Sequence, residues 1–376
     1  MNEKEIAELR RRLKPEKNNI THVCGCYVNE KQEIVSQFDQ PLSLMPEEEA
    51  EKLLTTLKRA LSGALGKNLL DITFTTQQVV DSDEHRLLMA LRSSSLKDPE
   101  SMQAFFQRVI QSNVLEGNYL ILLAYDTYDV PYRSSDGERQ DDASSEVFSY
   151  ILCAICPVKE TKPALSYYLS ENTLRNCRID WLVAAPELGF LFPAFDDRSA
   201  NLYNALYYTR DAGENHQDFV SAVFQSELPM PAQAQKETFQ TILEEALESE
   251  CRLEVVQAVH GKFSDLIEEH KANKEPEPLV VSRQEVKTIL QSCGISEEHT
   301  QAFEGQCAAE FGEDAEFCPG NLMDVKQFEL RTPDVTIRVN PQRSDLIETR
   351  VIDGKKYILI RADEEVEVNG VPIQIS

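Results

Sequence analysis

The sequence predicts an α+β fold: an N-terminal domain of mixed helix and largely antiparallel sheet, then central helices, then a C-terminal domain of helices and β-hairpins. Three observations predict it. Helix-period and strand-period runs are segregated rather than strictly alternating up to about residue 225. A sustained helical period follows Pro229 and Pro231. Near the C-terminus, Asp353-Gly354 and Asn369-Gly370 sit between β-rich runs, and such dipeptides tolerate the positive φ angles that tight hairpins require.

The elements read out in order. Residues 3–13 form a short helix ended by Pro15, and the β-rich runs Ile20–Val28 and Glu33–Phe38 form a hairpin across Asn29-Glu30-Lys31-Gln32. Pro46 and the three glutamates after it suit the first turn of a helix, whose buried face is Ala50, Leu53, Leu54, Leu57, Leu61 and Leu65. A second amphipathic helix opens at Asp98-Pro99 and buries Met102, Phe105, Phe106, Val109 and Ile110. Three strands are expected next, at Tyr119–Tyr125, Val147–Val158 and Trp181–Phe192, with Arg133–Ser145 a loop. Phe239, Ile242, Leu243, Ala246 and Leu247, then Val256, Phe263 and Ile267, carry one long helix or two consecutive ones to about His270. The Glu-Pro-Glu-Pro run within residues 271–278 reads as a linker. Ser282 and Glu285 make a capping box, a further helix lies near 297–311, and four short strands close the chain.

At 376 residues the chain is long for one domain, and the expected boundaries are 1–225, 226–278 and 279–376. Composition bounds its partners. Half of the formal charge of −26 falls in residues 241–330, which hold 20 Asp/Glu against 7 Lys/Arg. Such a surface repels a bare phosphate backbone at long range, so direct nucleic-acid contact is expected to be weak and local. The polar, basic start lacks an apolar signal core, and the apolar run Val147–Val158 is too short to span a bilayer, so a cytoplasmic protein without membrane contact is expected. Nine scattered cysteines suit a reducing compartment.

Four groups of residues are candidates for chemistry. Cys24, Cys26, Cys153 and Cys156 are four thiolates that could hold a zinc ion, but strand alternation puts Cys153 and Cys156 on opposite faces, so no metal is expected. Asp196, Asp197 and Arg198 end an apolar strand ahead of an expected helix at 199–206. They read either as a carboxylate/arginine site or as a helix cap with a structural ion pair. Arg10, Arg11, Arg12, Lys14 and Lys17 make a basic island that is either a phosphate- or partner-binding patch or a solvated helix end. One helical turn cannot aim three consecutive arginines the same way. Asp126 and Asp129 point to opposite faces of an extended segment and cannot share a proton. No phosphate-cradling glycine loop, His-Glu-x-x-His helix or nucleophile elbow is present, so no catalytic residue and no cofactor is assigned.

The segments Ile20–Glu30 and Pro186–Arg198 resemble the bacterial domain-of-unknown-function 4317 family over the whole chain. More distantly, the order of Phe219–Phe224, the helix pair, Leu279–Leu290 and Val335–Val339 is similar to the NdpA/YejK family of nucleoid-associated proteins. That second resemblance implies association with the bacterial nucleoid, and neither supplies catalytic residues to carry over. The expected function is a non-enzymatic interaction protein with a protein partner; the alternative is an enzyme centred on Asp196, Asp197 and Arg198.

Overall fold

The computed structural model describes the chain except residues 134–138, 162–163, 177–179, 274, 276, 314, 325–326, 363–365, 369–370 and 375–376, and the side chains of 132–133 and 139–146. Two compact units divide it, Met1–Pro231 and Ala232–Ser376.

The first unit opens with α1 (Glu3–Arg12), capped by Asn2 in a reciprocal capping box with Glu5, and β1 (His22–Val28) pairs antiparallel with β2 (Ile34–Pro41). After α2 (Glu47–Arg59) come β3 (Leu69–Thr73), α3 (Thr76–Asp81), α4 (Asp83–Ser93) and α5 (Pro99–Gln111). The long strands β4 (Tyr119–Arg133) and β5 (Arg139–Glu160) follow, then β6 (Leu165–Tyr168), β7 (Thr173–Asn176), β8 (Trp181–Val183), β9 (Leu188–Phe192), β10 (Ala194–Asp196), β11 (Ser199–Asn201) and β12 (Asn204–Thr209). Helix α6 (Gln217–Phe224) ends the elements of this unit.

One antiparallel sheet, ordered β2-β1-β4-β5-β9-β12-β3 with β8 paired to β5, forms the spine. Helices cover both faces. Side chains of α4, α5 and α6 pack with Cys26, Ile121, Cys153, Phe190 and Tyr207 on one side, and α1 and α2 pack with Leu122, Tyr150, Cys156 and Leu206 on the other. Double coverage explains why Leu188–Phe192 is apolar without alternation: every residue of β9 is buried. Gly25 is required by close approach, since a Cβ there would lie 2.5 Å from the Ile121 carbonyl oxygen and 2.7 Å from the Phe38 ring.

Several expectations are corrected. The segment after Arg198 is not a helix but the hairpin β10–β11 followed by β12; Asp197 and Arg198 take positive φ (48° and 62°), the backbone of a tight turn. Of the loop expected at Arg133–Ser145, Arg133 and residues 139–145 are strand, because the β4–β5 ladder runs to the pair Arg133↔Arg139; residues 134–138 lie outside the described residues. A backbone ladder needs no apolar side chains, so polarity was misleading there. Trp181–Phe192 is two strands interrupted around Pro186.

The second unit begins with α7 (Ala232–Leu247) and α8 (Leu253–Asn273), two helices separated by a short turn. The strand β13 (Val281–Ser282), α9 (Arg283–Ser292), α10 (Glu297–Phe311), β14 (Glu316–Phe317) and α11 (Pro319–Leu322) follow. The expected capping box is formed, with Ser282 and Glu285 satisfying each other's free amides. Three two-stranded hairpins complete the unit: β15 (Phe328–Arg331) with β16 (Thr336–Val339), β17 (Ile347–Ile352) with β18 (Lys355–Ile360), and β19 (Val366–Val368) with β20 (Val371–Ile373). These are six strands where four were expected; the Asn369-Gly370 turn lies outside the described residues.

Phe239, Ile242 and Phe263 share one buried cluster with Val286, Leu290, Phe303 and Cys307. The central helices and the segment after residue 279 therefore make a common core, and the boundary expected at 278/279 does not separate cores. Among the described residues no helix is long and apolar enough to cross a membrane.

Candidate functional site

Helix α1 carries a polar network onto the sheet. Its apolar positions Ile6, Leu9 and Leu13 are buried, which fixes the opposite sides of the helix against polar neighbours. Arg12 donates from Nη2 to the Thr127 carbonyl oxygen at 3.0 Å and lies 3.4 Å from Asp126 Oδ2, with its guanidinium 4.2 Å above the Tyr128 ring. Glu8 accepts from Arg198 Nη1 at 2.7 and 2.9 Å and from the Tyr128 hydroxyl, while Arg198 Nη2 donates to the Pro131 carbonyl at 3.0 Å.

Asp126 is the hub. It is 1% exposed and accepts from the Tyr150 hydroxyl at 2.7 Å, the Asn19 amide at 2.8 Å and the Thr127 amide at 2.9 Å, besides Arg12. Burial, and then the neighbouring Asp126 charge, pushes the Tyr150 hydroxyl far above the ordinary tyrosine range, so it remains a protonated donor. A carboxylate with this many donors and no solvent contact is a structural anchor rather than a reactive base. Sequence reasoning separated Asp126 from Asp129 correctly, one buried and one exposed, but missed that Asp126 receives Arg12. The available signal was its strand phase, in step with the apolar Leu122, Ala124, Tyr128 and Val130.

The sequence-derived candidates fall out differently. Of the basic island, Arg10 donates to the carbonyls of Leu61 and Gly63, Arg12 is held as above, and only Arg11, Lys14 and Lys17 are exposed. Asp196 pairs with the Met1 amino group at 2.7 Å and accepts from Asn201 at 2.7 Å, and Arg198 is engaged by Glu8. Asp196 and Arg198 thus tie the chain's amino group and α1 to the β10–β11 turn, in which Asp197 takes positive φ. Cys24, Cys26 and Cys153 lie in one core and Cys156 in the other, on the far side of the sheet, so the four thiols do not converge. Burial pushes Cys26 and Cys156 up to about 12, and burial with the Asp39 charge does the same to Cys24; none is a thiolate at neutral pH.

In the second unit, three arginines on or beside the hairpins are paired locally, while Arg331 of β15 is exposed. Arg338 pairs with Glu329 at 2.8 Å, Arg350 with Glu348 at 2.7 Å and Arg361 with Asp345 at 2.9 Å. What the hairpins expose instead is apolar. The β15–β16 hairpin is anchored, with Phe328 buried edge-on to His260, and His260 Nε2 donating to the Asp324 carbonyl at 2.8 Å. Gln257 donates to the Ser344 carbonyl at 2.7 Å and fixes the root of β17, where Ile347 is buried. Beyond that root Val351 is 71% exposed and Ile360 56%, and in the last hairpin Val371 is 61% exposed. Single exposed apolar residues need no explanation, but rows of them on free-standing two-stranded ribbons form a surface fit for contact.

The chain belongs to the family described as a domain of unknown function, DUF4317, whose model matches residues 1–371. No curated protein matches it.

Proposed function

We propose that this chain is a non-enzymatic interaction protein whose C-terminal hairpins are its contact surface. The observation that carries this is the run of exposed β-branched residues on β17–β18 and β19–β20, strands whose roots alone are packed. A two-stranded ribbon gains little by exposing Val351, Ile360 and Val371 to water and gains much when a partner covers them, at about 25 cal/mol for each Å² of apolar surface buried. Engagement of Asp196 and Arg198 within the fold weighs against the enzyme alternative.

Association with the nucleoid, if this protein has it, runs through a protein partner in this reading. The chain carries a formal charge of −26, and Arg338 and Arg350 of the hairpins are matched by carboxylates. The test recovers the proteins and nucleic acids that accompany the tagged, full-length chain from its own cell extract, beside the variant Val351→Ser/Ile360→Ser. Specific proteins lost with the variant support the reading; an unchanged set of companions sinks it. Duplex DNA held tightly by the pure protein at physiological salt, and released by neutralising Arg11, Lys14 and Lys17, would replace it with direct binding.

A further inference from the structure

Helices α7 and α10 pack side by side and leave a groove of about 430 Å³ between them. Glu237, Thr241 and Glu245 recur every fourth residue along α7 and so line one wall, while Gln306 and Glu310, also four apart, line the other. Ile242 and Ala309 contribute apolar surface to it. The chemistry is one-sided. Three carboxylates offer only acceptors, and among the described residues neither Glu245 nor Glu310 has an ion-pair partner. Gln306 Oε1 adds a buried acceptor that no donor reaches. An unmade hydrogen bond of that kind is a standing cost that a donor reaching the oxygen would relieve.

The same unit exposes the complement. On β17–β18 the cross-strand pairs Ile347↔Ile360, Thr349↔Ile358 and Val351↔Lys356 share one face. That face starts at the root with buried Ile347 opposite exposed Ile360, continues outward through Thr349 and Ile358, and ends in exposed Val351 opposite Lys356, near the Asp353-Gly354 turn. Lys355 and Lys356 are both exposed, and among the described residues neither has a carboxylate partner. An apolar strip ending in Lys356, with Lys355 on the opposite face of the same tip, thus stands on the chain that also carries a groove lined by carboxylates together with Ile242 and Ala309.

We propose that the α7–α10 groove receives the β17–β18 hairpin of a second copy of this chain, with Lys355 and Lys356 of one copy against Glu245 and Glu310 of the other. This rests on the hairpins being the contact surface and names what they contact. The pairing is heterologous, hairpin to groove, so each copy offers both halves of the contact. The overall charge of −26 opposes association at long range, but at physiological salt fields are screened within about 8 Å, so complementarity at the contact decides.

Sedimentation velocity at physiological ionic strength, over about a hundredfold range of concentration, tests it with the full-length chain. The wild type should self-associate. Glu245→Lys/Glu310→Lys and Lys355→Glu/Lys356→Glu, each alone, should weaken association by roughly tenfold or more, and mixing the two variants should restore it, because one then supplies the acidic groove and the other the basic hairpin. The milder Glu245→Gln/Glu310→Gln and Lys355→Gln/Lys356→Gln serve if a reversal disturbs folding by circular dichroism. A wild type that stays monomeric, or association untouched by the reversals or not restored by mixing, overturns the proposal. A monomer whose Val351→Ser/Ile360→Ser variant still loses its cellular companions leaves the hairpin reading standing while this inference falls.

Discussion

Strands rich in apolar residues meet opposite fates in the two units. In β9 every residue is buried, because helices cover both faces of the sheet; in β17 and β18 Ile347 alone is buried, though six of their twelve residues are Val, Ile or Leu. The pattern of apolar residues specifies that a segment will be a strand, while burial depends on what else the chain can lay across it. The first unit lays five helices across its sheet, and its apolar residues generate its stability. The second unit concentrates its core in helices α7 to α10, which leaves its hairpins free to be covered by something else.

The comparison breaks most severely if the second unit is cut in the wrong place. Expressed alone, residues 232–376 should unfold cooperatively, whereas 279–376 should show no cooperative transition, since it lacks Phe239, Ile242 and Phe263 from the shared cluster. Protease cleavage within 271–279 should accordingly leave two fragments that remain associated on a sizing column. A cooperative melt from 279–376 alone would show that the hairpin segment carries its own core.

In the first unit the largest single-residue effect outside the apolar core is expected at Asp126. Asp126→Ala leaves Arg12 buried without its carboxylate and should cost about 3–5 kcal/mol in urea unfolding. Tyr150→Phe removes one hydrogen bond and should cost about 1–2 kcal/mol. If Asp126→Ala costs no more than Tyr150→Phe, the network does not hold α1 in place.

Much of this was legible in the sequence, for physical reasons that vary by element. The helix that opens at Asp98-Pro99 was readable to its five buried residues because capping and a 3.6-residue period agree there. The strand phase that parts Cys153 from Cys156 was readable because alternation is geometric and indifferent to context. Residues 199–206 misled because Ala and Leu suit a helix locally, while the turn at Asp197 and Arg198 is imposed by pairing of β10 with β11. The basic island was legible in part: consecutive arginines on a helix cannot point one way, but charge density along a sequence does not say which of them turns inward, and here Arg10 and Arg12 do and Arg11 does not. The Asp126 hub joins residues more than a hundred positions apart, which no local period reveals.

Buried thiols sharpen the contrast through pH. Cys24, Cys26 and Cys156 sit at about 12 in the folded first unit against an ordinary value of 9.0, so the unfolded chain releases protons first as pH rises. A folded pKa raised in this way leaves stability whole below the unfolded value and erodes it from about pH 9 towards 12. Urea midpoints should therefore be flat from pH 7 to about 8 and fall above 9, with Cys26→Ala showing a shallower fall above pH 9. A midpoint that rises with alkali would mean the thiols are not shielded.

The smallest effects belong to the hairpins, and their smallness is the point. Glu348 and Arg350 pair at 2.7 Å but are about half exposed, so Glu348→Ala should change stability by no more than about 1 kcal/mol. Val351→Ser and Ile360→Ser remove apolar atoms that already face water in the isolated chain, so each should stay within about 0.5 kcal/mol of the wild type. Those same substitutions are the ones expected to abolish partner contact. Stability and association are then separable in this unit in a way they are not around Asp126, where the residues that shape the surface also hold the fold. A loss above about 1 kcal/mol from Val351→Ser in dilute monomer would mean that the hairpin face is already covered within the chain, and its role as a contact surface would fall with that result.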